Sequence, residues 1–286
     1  MRSLLDVMLR QASRVRVAEI SGSGTAVVDL EPPGARDRLR AAMVVESLPG
    51  FVCMCRGDVR FEIVGPDDGV LAVVVLHHAS TLRWDRWEGH AVLADGRLVL
   101  RWLEEQGISN PSRQVAEAES RRDQASEEEA AWVAAIPAAL TPLTDRVLAL
   151  SKIGAVPSAE WLGEAQDLLR RAVPDPVVRV LDLLAWCGSG SGRYSGFPAH
   201  EVVPGLLLKA VPIAEITVAL RDPRARPEHD AGAVRHLVGW KSRSKHKRDV
   251  DSLPEPLKER LLRQAERSDD PTTLRRARRM LLKNDR

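Results

Sequence analysis

Cysteine is scarce in this chain, which has three cysteines among 286 residues. An odd, small number of cysteines cannot supply the fully paired disulfide framework of a secreted scaffold. A reducing compartment is the simplest setting for such a chain. We therefore predict a cytoplasmic protein.

Long apolar runs are missing as well. No stretch reaches the roughly 18 to 20 apolar residues that a membrane-spanning helix needs, so no membrane partner is expected. The N-terminal segment 1–10 has only a short apolar run, which Asp6 interrupts and Arg10 follows, where a secretory signal would have small residues. It is predicted to form an amphipathic helix.

Aromatic residues make up only 4% of the chain, and seven of the eleven are tryptophan. Hydrophobic residues at 44% and charged residues at 29% are typical of globular proteins, which excludes a wholly disordered or fibrous chain. The length exceeds that of one usual compact domain and favours two.

The first part of the chain alternates strand and helix patterns. Residues 14–30 alternate apolar and polar around a Ser-Gly-Ser-Gly turn, which predicts two short strands. Helical spacing of apolar residues predicts a helix over about 35–47. Residues 51–64 and 70–76 are Val-rich and flank a Gly-Pro-Asp-Asp-Gly turn, so they predict an antiparallel β-hairpin.

Two more elements complete this part. A short strand is expected over 80–84, and 96–106 has the pattern of an amphipathic helix that Gly107 ends. We therefore predict a small mixed α/β module over residues 1–108, with a domain boundary at 107–112.

The rest of the chain, residues 112–286, has helical periodicity throughout. Residues 112–135 are rich in Ala, Glu and Arg and predict one long helix. The predicted fold class is therefore α+β, a small module followed by an all-α region. The further predicted helices cover 142–151, 158–173, 176–187, 201–220, 229–240, 254–267 and 271–283.

An Asp-Pro pair recurs in the helical region at Asp175, Asp222 and Asp270, with spacings of 47 and 48 residues. Asp accepts hydrogen bonds from free helix N–H groups, and proline fits the first helical turn, so each pair is a helix-start signal. With this period, residues 140–286 resemble a degenerate HEAT-type repeat array. The resemblance implies an α-solenoid whose concave surface binds a protein partner. The alternative is an irregular helical bundle in which Asp-Pro is ordinary helix punctuation.

A candidate metal site lies in the first module. On a strand, Cys53 and Cys55 would point to the same face, and the hairpin would bring one of His77 and His78 close to them. Thiolate and imidazole are preferred zinc ligands, which makes zinc a candidate here, but the prediction is that the chain has no cofactor. The Cys-x-Cys spacing differs from the Cys-x-x-Cys of zinc knuckles, and only His90 could add a fourth ligand. The preferred interpretation is that the cysteines pack in the core, and metal binding and thiol chemistry are the alternatives.

A second candidate is the Gly-Ser-rich segment 188–198, with Arg193, Tyr194 and Ser195. Backbone N–H groups of such a loop can bind phosphate beside an arginine. The dinucleotide pattern fails because Ser195 stands where glycine is needed, and no strand precedes the segment. A long connection between two helices is the alternative interpretation.

The third candidate is a basic segment near the end of the chain. Residues 241–286 contain fifteen Lys or Arg against eight Asp or Glu, a net charge of +7, so residues 1–240 carry −5. A loop rich in cations beside Trp240 can bind nucleic acid, while an acidic protein or solvent are its other possible partners. The cations of the loop are Lys241, Arg243, Lys245, Lys247 and Arg248.

The chain contains no complete catalytic signature, whereas helices with a repeat-like period are abundant. We therefore predict a non-enzymatic interaction protein with a protein partner. Two other functions stay open: a nucleic-acid-associated protein that uses the basic segment, and a metal- or thiol-dependent enzyme centred on Cys53, Cys55 and His77.

Overall fold

The computed structural model describes residues 4–191, 198–239, 244–268 and 270–282. The chain divides into two compact units, Met1–Asp123 and Gln124–Arg286. The first contains an antiparallel sheet with helices, and the described part of the second is helical, so the α+β class is confirmed.

The first unit is built on a seven-stranded sheet in which every neighbouring pair is antiparallel, in the order β2-β1-β4-β5-β6-β7-β3. Its elements are helices α1 (Leu4–Gln11), α2 (Ala35–Ala42) and α3 (Gly96–Glu105), and strands β1 (Arg14–Glu19), β2 (Thr25–Asp29), β3 (Val45–Ser47), β4 (Val59–Val64), β5 (Val70–His77), β6 (Thr81–Trp84) and β7 (Ala91–Leu93).

The core of this unit lies between the sheet and the three helices. Along β4, Val59, Phe61 and Ile63 are fully buried, because alternate residues of a strand point to the same face. Leu39 of α2 and Leu103 of α3 belong to the same hydrophobic cluster. The predicted hairpin, the two strands within 14–30, the strand near 80–84 and the helix from residue 96 are confirmed.

Two predictions for this unit are wrong. The helix predicted over 35–47 ends at Ala42, and Val45–Ser47 forms strand β3, which pairs with the unpredicted β7. The strand predicted over 51–64 begins only at Val59. Its partner β5 ends one residue beyond the Val59–Leu76 pair, so the residues before Val59 have no ladder to join. Cys53 and Cys55 therefore lie in an irregular segment.

The second unit is a packed set of helices, and the long helix α4 (Asn110–Ala134) runs into it from the first unit. Asn110-Pro111 thus begins a helix, and the predicted boundary at 107–112 stays a prediction. The other helices are α5 (Thr144–Lys152), α6 (Ala159–Ala172), α7 (Pro176–Gly188), α8 (Val203–Leu208), α9 (Ile213–Arg221), α10 (Pro227–Val238), α11 (Ser244–Asp251), α12 (Glu255–Glu266) and α13 (Pro271–Leu281), with 3₁₀ turns at Ala138–Leu143 and Ala199–Val202.

Helices α7 and α10 pack closely against each other, and both carry glycine at the contact. A Cβ atom added at Gly188 would lie 2.6 Å from the Glu228 carbonyl oxygen. Their close approach therefore requires glycine. Leu181 and Leu184 of α7 and Leu207 of α8 are buried, as the helical periodicity predicts.

The Asp-Pro pairs have two different roles. Asp175 accepts a hydrogen bond from the Val177 N–H at the start of α7, and Asp270 does the same for α13. Asp222 instead follows the end of α9, and α10 begins at Pro227, so the helix-start prediction is wrong there.

Two further helix predictions need correction. The helix predicted over 201–220 is split into a 3₁₀ turn, α8 and α9, and the loop predicted around residue 245 is helical from Ser244 onward.

In the described residues no single helix is long and apolar enough to cross a membrane. The bent pair Ala199–Leu208 and Ile213–Arg221 would together be long and apolar enough, by length and composition alone.

Candidate metal site

Two cysteines and one histidine converge in the first unit. The Cys53 and Cys55 sulfurs lie 3.1 Å apart, and His78 Nε2 lies 3.3 Å from Cys53 Sγ and 3.4 Å from Cys55 Sγ. Within the described part of the chain, this is the group of three possible ligands whose atoms all lie within 4.8 Å of one another. The cysteines are partly exposed and the histidine is exposed, so the cluster is accessible from solvent.

Backbone turns position these side chains. His78 and Ala79 connect β5 to β6, and both have positive φ, 51° and 55°. A non-glycine residue with positive φ costs about 1 to 3 kcal/mol and persists only where its surroundings hold it, often at functional sites. This turn places the His78 ring beside the irregular segment that carries Cys53 and Cys55.

His77 supports the cluster from the buried side. Its Nδ1 lies 3.0 Å from Cys55 Sγ, and the residue is only 2% exposed. Its ring centroid lies 4.3 Å from that of His90, which is also buried. Burial, followed by the charge of His90, lowers the pKa of His77 to about 4. His77 is therefore a neutral hydrogen-bond partner of Cys55 at neutral pH.

The two thiols differ in acidity. The pKa of Cys53 is lowered to about 7, mainly because the backbone N–H of Cys55 donates to its sulfur, with further contributions from the Cys55 thiol and from His78. The pKa of Cys55 is raised, first by its hydrogen bond with Cys53 and then by burial. Cys53 is therefore the first thiol to ionise.

The dimensions of the cluster suit a tetrahedral metal. Zinc bonds of about 2.3 Å to sulfur and 2.0 Å to nitrogen place tetrahedral ligand atoms about 3.5 to 3.8 Å apart. The two sulfur–nitrogen separations, 3.3 and 3.4 Å, need to widen by only about 0.1 to 0.2 Å, and the sulfur–sulfur separation of 3.1 Å needs to widen by about 0.7 Å. Because both cysteines are free, their sulfurs are available as ligands.

The structure assigns different roles to the two predicted histidines. His78 belongs to the three-ligand group, whereas His77 contacts Cys55 and lies outside that group. His90 packs beside His77 and is not one of the three possible ligands. The structure places the predicted cysteines near the two histidines, but Cys53 and Cys55 do not lie on a strand as predicted. The left-handed turn at His78 has no signal in the residue spacing.

The other predicted site residues lie apart from this cluster or outside the described residues. Arg193, Tyr194 and Ser195 lie outside them, as do Lys241 and Arg243. For Lys245 and Lys247 only the helical backbone of α11 is described, and Arg248 is exposed.

The third cysteine, Cys187 of α7, is fully buried, and burial raises its pKa to about 11. It is therefore chemically inert compared with Cys53 and Cys55.

Comparison with known proteins adds no family: the chain matches no protein-family model, no curated protein and no solved structure.

Proposed function

We propose that the first unit binds one zinc ion through Cys53, Cys55 and His78. The observation that carries this proposal is the convergence of two sulfurs and one imidazole nitrogen within 4.8 Å. Zinc binds well to two thiolates and an imidazole, whereas harder cations prefer oxygen ligands.

His77 has a supporting role in this proposal. Its Nδ1–H donates to the Cys55 thiolate and orients that sulfur toward the metal, as hydrogen-bond partners of metal ligands commonly do. Three protein ligands leave the fourth tetrahedral position to water or to a donor group of a partner.

Zinc would join the irregular segment of Cys53 and Cys55 to the turn after β5. That segment has a run of exposed apolar side chains, which is unusual on a protein surface and marks interaction sites. The exposed fractions are 57% for Leu48, 62% for Phe51, 46% for Val52 and 100% for Met54. We therefore propose a non-enzymatic interaction protein in which the metal holds this apolar segment in the conformation that a protein partner binds.

Elemental analysis of the purified full chain tests the metal site. We expect one zinc per chain, and loss of that zinc in Cys53→Ser, Cys55→Ser and His78→Gln. Cobalt substitution should give sulfur-to-cobalt charge-transfer absorption, which requires thiolate ligands.

His90→Gln and Cys187→Ala are the matched controls, because they replace the same residue types outside the three-ligand group. Both should keep one zinc per chain. A wild-type chain that binds neither zinc nor cobalt while folded, as judged by circular dichroism, would contradict the proposal.

The helical unit supports a separate part of the interaction hypothesis. Its sequential helices α6 and α7, and α12 and α13, contact each other, as the two helices of a HEAT-type repeat do. The repeat resemblance and its concave binding surface stay predictions. Nucleic-acid binding by the basic segment also stays a prediction, and within its cation-rich part, 241–248, only the Arg248 side chain is described.

A further inference from the structure

We propose that, in the metal-free state, Cys53 and Cys55 form a dithiol that reduces disulfide bonds in polypeptides. This activity uses the side chains of the proposed zinc site but does not depend on zinc binding. It concerns the state in which both sulfurs are free to react.

The distance between the two sulfurs favours a disulfide. They are 3.1 Å apart, and a disulfide bond is about 2.05 Å long, so the sulfurs need to approach by about 1 Å. Only Met54 separates the two cysteines, and their segment lies outside the sheet. No backbone ladder has to break when the bond forms.

The surroundings of the two thiols assign them an order. The hydrogen-bond partners of Cys53 are Cys55 and the exposed His78, whereas Cys55 also contacts the buried His77. Cys53 is therefore the outer thiol, which meets a substrate first. Cys55 lies behind it and within reach of its sulfur.

The exposed side chains beside the dithiol indicate the substrate class. Phe51, Val52 and Met54 flank Cys53 and are exposed, with Leu48 a short distance before them. Apolar side chains at a reactive site contact the apolar side chains of an extended or unfolded polypeptide. A small polar disulfide has no such groups. The substrate is therefore a disulfide within or between polypeptide segments.

The reaction conserves atoms and electrons. The Cys53 thiol gives its proton to His78 Nε2 and attacks one substrate sulfur, so the substrate disulfide breaks and the leaving thiolate takes a proton from His78. Cys55 then gives its proton to the same nitrogen and attacks Cys53 Sγ, and the second substrate thiolate leaves with that proton. Two substrate thiols form as the two cysteines are oxidised to one disulfide.

The test uses the reduced, full-length chain after treatment with a chelator. The probe is an apolar peptide pair joined by one disulfide and carrying a fluorophore and a quencher, so that reduction raises fluorescence. Glutathione disulfide is the comparison probe. The products are quenched with acid and examined by mass spectrometry.

We expect the wild-type chain to reduce one peptide disulfide per chain and to lose two hydrogens in the peptide that contains Cys53 and Cys55. Glutathione disulfide should react more slowly. Cys53→Ser should abolish the reaction, and Cys55→Ser should accumulate a mixed disulfide between Cys53 and the probe. Cys187→Ala should react like the wild type.

Equal rates in the wild type and Cys53→Ser, or oxidation without a Cys53–Cys55 disulfide, would overturn the inference. Trapping in Cys55→Ser keeps the test valid if Cys53→Ser is poorly folded. Added zinc separates the two proposals. Zinc binding without peptide reduction in the chelated chain refutes only the reductase activity, and reduction that zinc does not slow refutes only the metal site.

Discussion

Gly57 lies against the imidazole ring of His77. It has φ 88°, and a Cβ atom at this position would lie 3.1 Å from His77 Nε2, 3.0 Å from the Leu76 carbonyl oxygen and still closer to a methyl group of Val75. Glycine is therefore needed here both for its backbone conformation and for the space beside the ring. The contact connects the turn before β4 to the histidine that supports Cys55.

Gly57→Ala should displace His77 and thereby loosen the hydrogen bond to Cys55. Loss of such a supporting contact typically lowers metal affinity about 10- to 100-fold, and we expect a decrease in zinc affinity of this size. Competition with a chromogenic chelator measures it. Gly50→Ala is the control, because Gly50 has φ 72° but a Cβ there meets nothing within 4 Å. Equal zinc affinities in the two variants would contradict this role of Gly57.

His78→Gly should separate stability from metal binding. Glycine adopts φ 51° without the cost that histidine has, so the metal-free variant should gain about 1 kcal/mol in unfolding free energy while it loses zinc. Ala79→Gly is the matched control, because it relieves a φ of 55° and leaves all three ligands in place. Urea unfolding of the metal-free chains measures the gain.

A control result would decide between strain and simple packing at this turn. If Ala79→Gly gains stability and keeps zinc, the turn is strained and His78 alone supplies the ligand. Loss of stability in both glycine variants would show that the positive φ values are not strained.

Local patterns were sufficient to predict the elements that have their own periodicity. The buried alternation of β4 and β5 and the apolar stripes of α6, α7 and α12 are visible in the sequence because burial selects residue type. The three-residue strands β3 and β7 are too short for a periodic signal. Strand β7 forms by pairing with β6 and β3, and β3 forms by pairing with β7.

The Cys53–Cys55–His78 cluster was predicted only in part for a related reason. Cys53, Cys55 and the two histidines can be recognised in the sequence as candidate metal ligands from their chemistry. Their positions relative to one another, however, depend on where β5 ends. Because β5 stops at His77, the next residue enters a left-handed turn, and His78 instead of His77 joins the ligand group. Because β5 ends at His77, Cys53 and Cys55 also lie outside the sheet. Spacing along the sequence contains neither fact.

The α7–α10 contact gives a prediction about stability. A Cβ atom at Gly232 would lie 2.6 Å from the carbonyl carbon of Leu184, so the helices must move apart in Gly232→Ala. Overpacking of this kind costs about 1 to 3 kcal/mol. Gly163→Ala in α6 makes the same change where a Cβ meets nothing within 4 Å, and it should stabilise by about 0.5 to 1 kcal/mol. Urea unfolding should therefore give shifts of opposite sign.

Arg224 joins two of the three Asp-Pro pairs. Its Nη1 lies 3.0 Å from Asp175 Oδ2, and its Nε lies 2.8 Å from Asp222 Oδ1. The guanidinium hydrogen bond is the main reason that the pKa of Asp222 falls from 3.8 to about 2, and it also lowers the pKa of Asp175. Both carboxylates are therefore held ionised in the folded chain.

The pH dependence follows from the direction of these shifts. A carboxyl group whose pKa is depressed by folding stabilises the protein above its unfolded pKa, near 4, and that contribution disappears as the pH falls toward 2. Arg224→Gln should raise the pKa of Asp222 only partway, because the backbone N–H of residue 224 still donates to the carboxylate. Carboxyl NMR titration measures both pKa values. Arg221→Gln removes an equal charge from the end of α9 and should leave them unchanged. A pKa of Asp222 that stays near 2 in Arg224→Gln would show that the backbone hydrogen bond, and not the guanidinium, causes the shift. In unfolding experiments, the wild type and Arg224→Gln should differ in stability at pH 7 and have similar stabilities at pH 2.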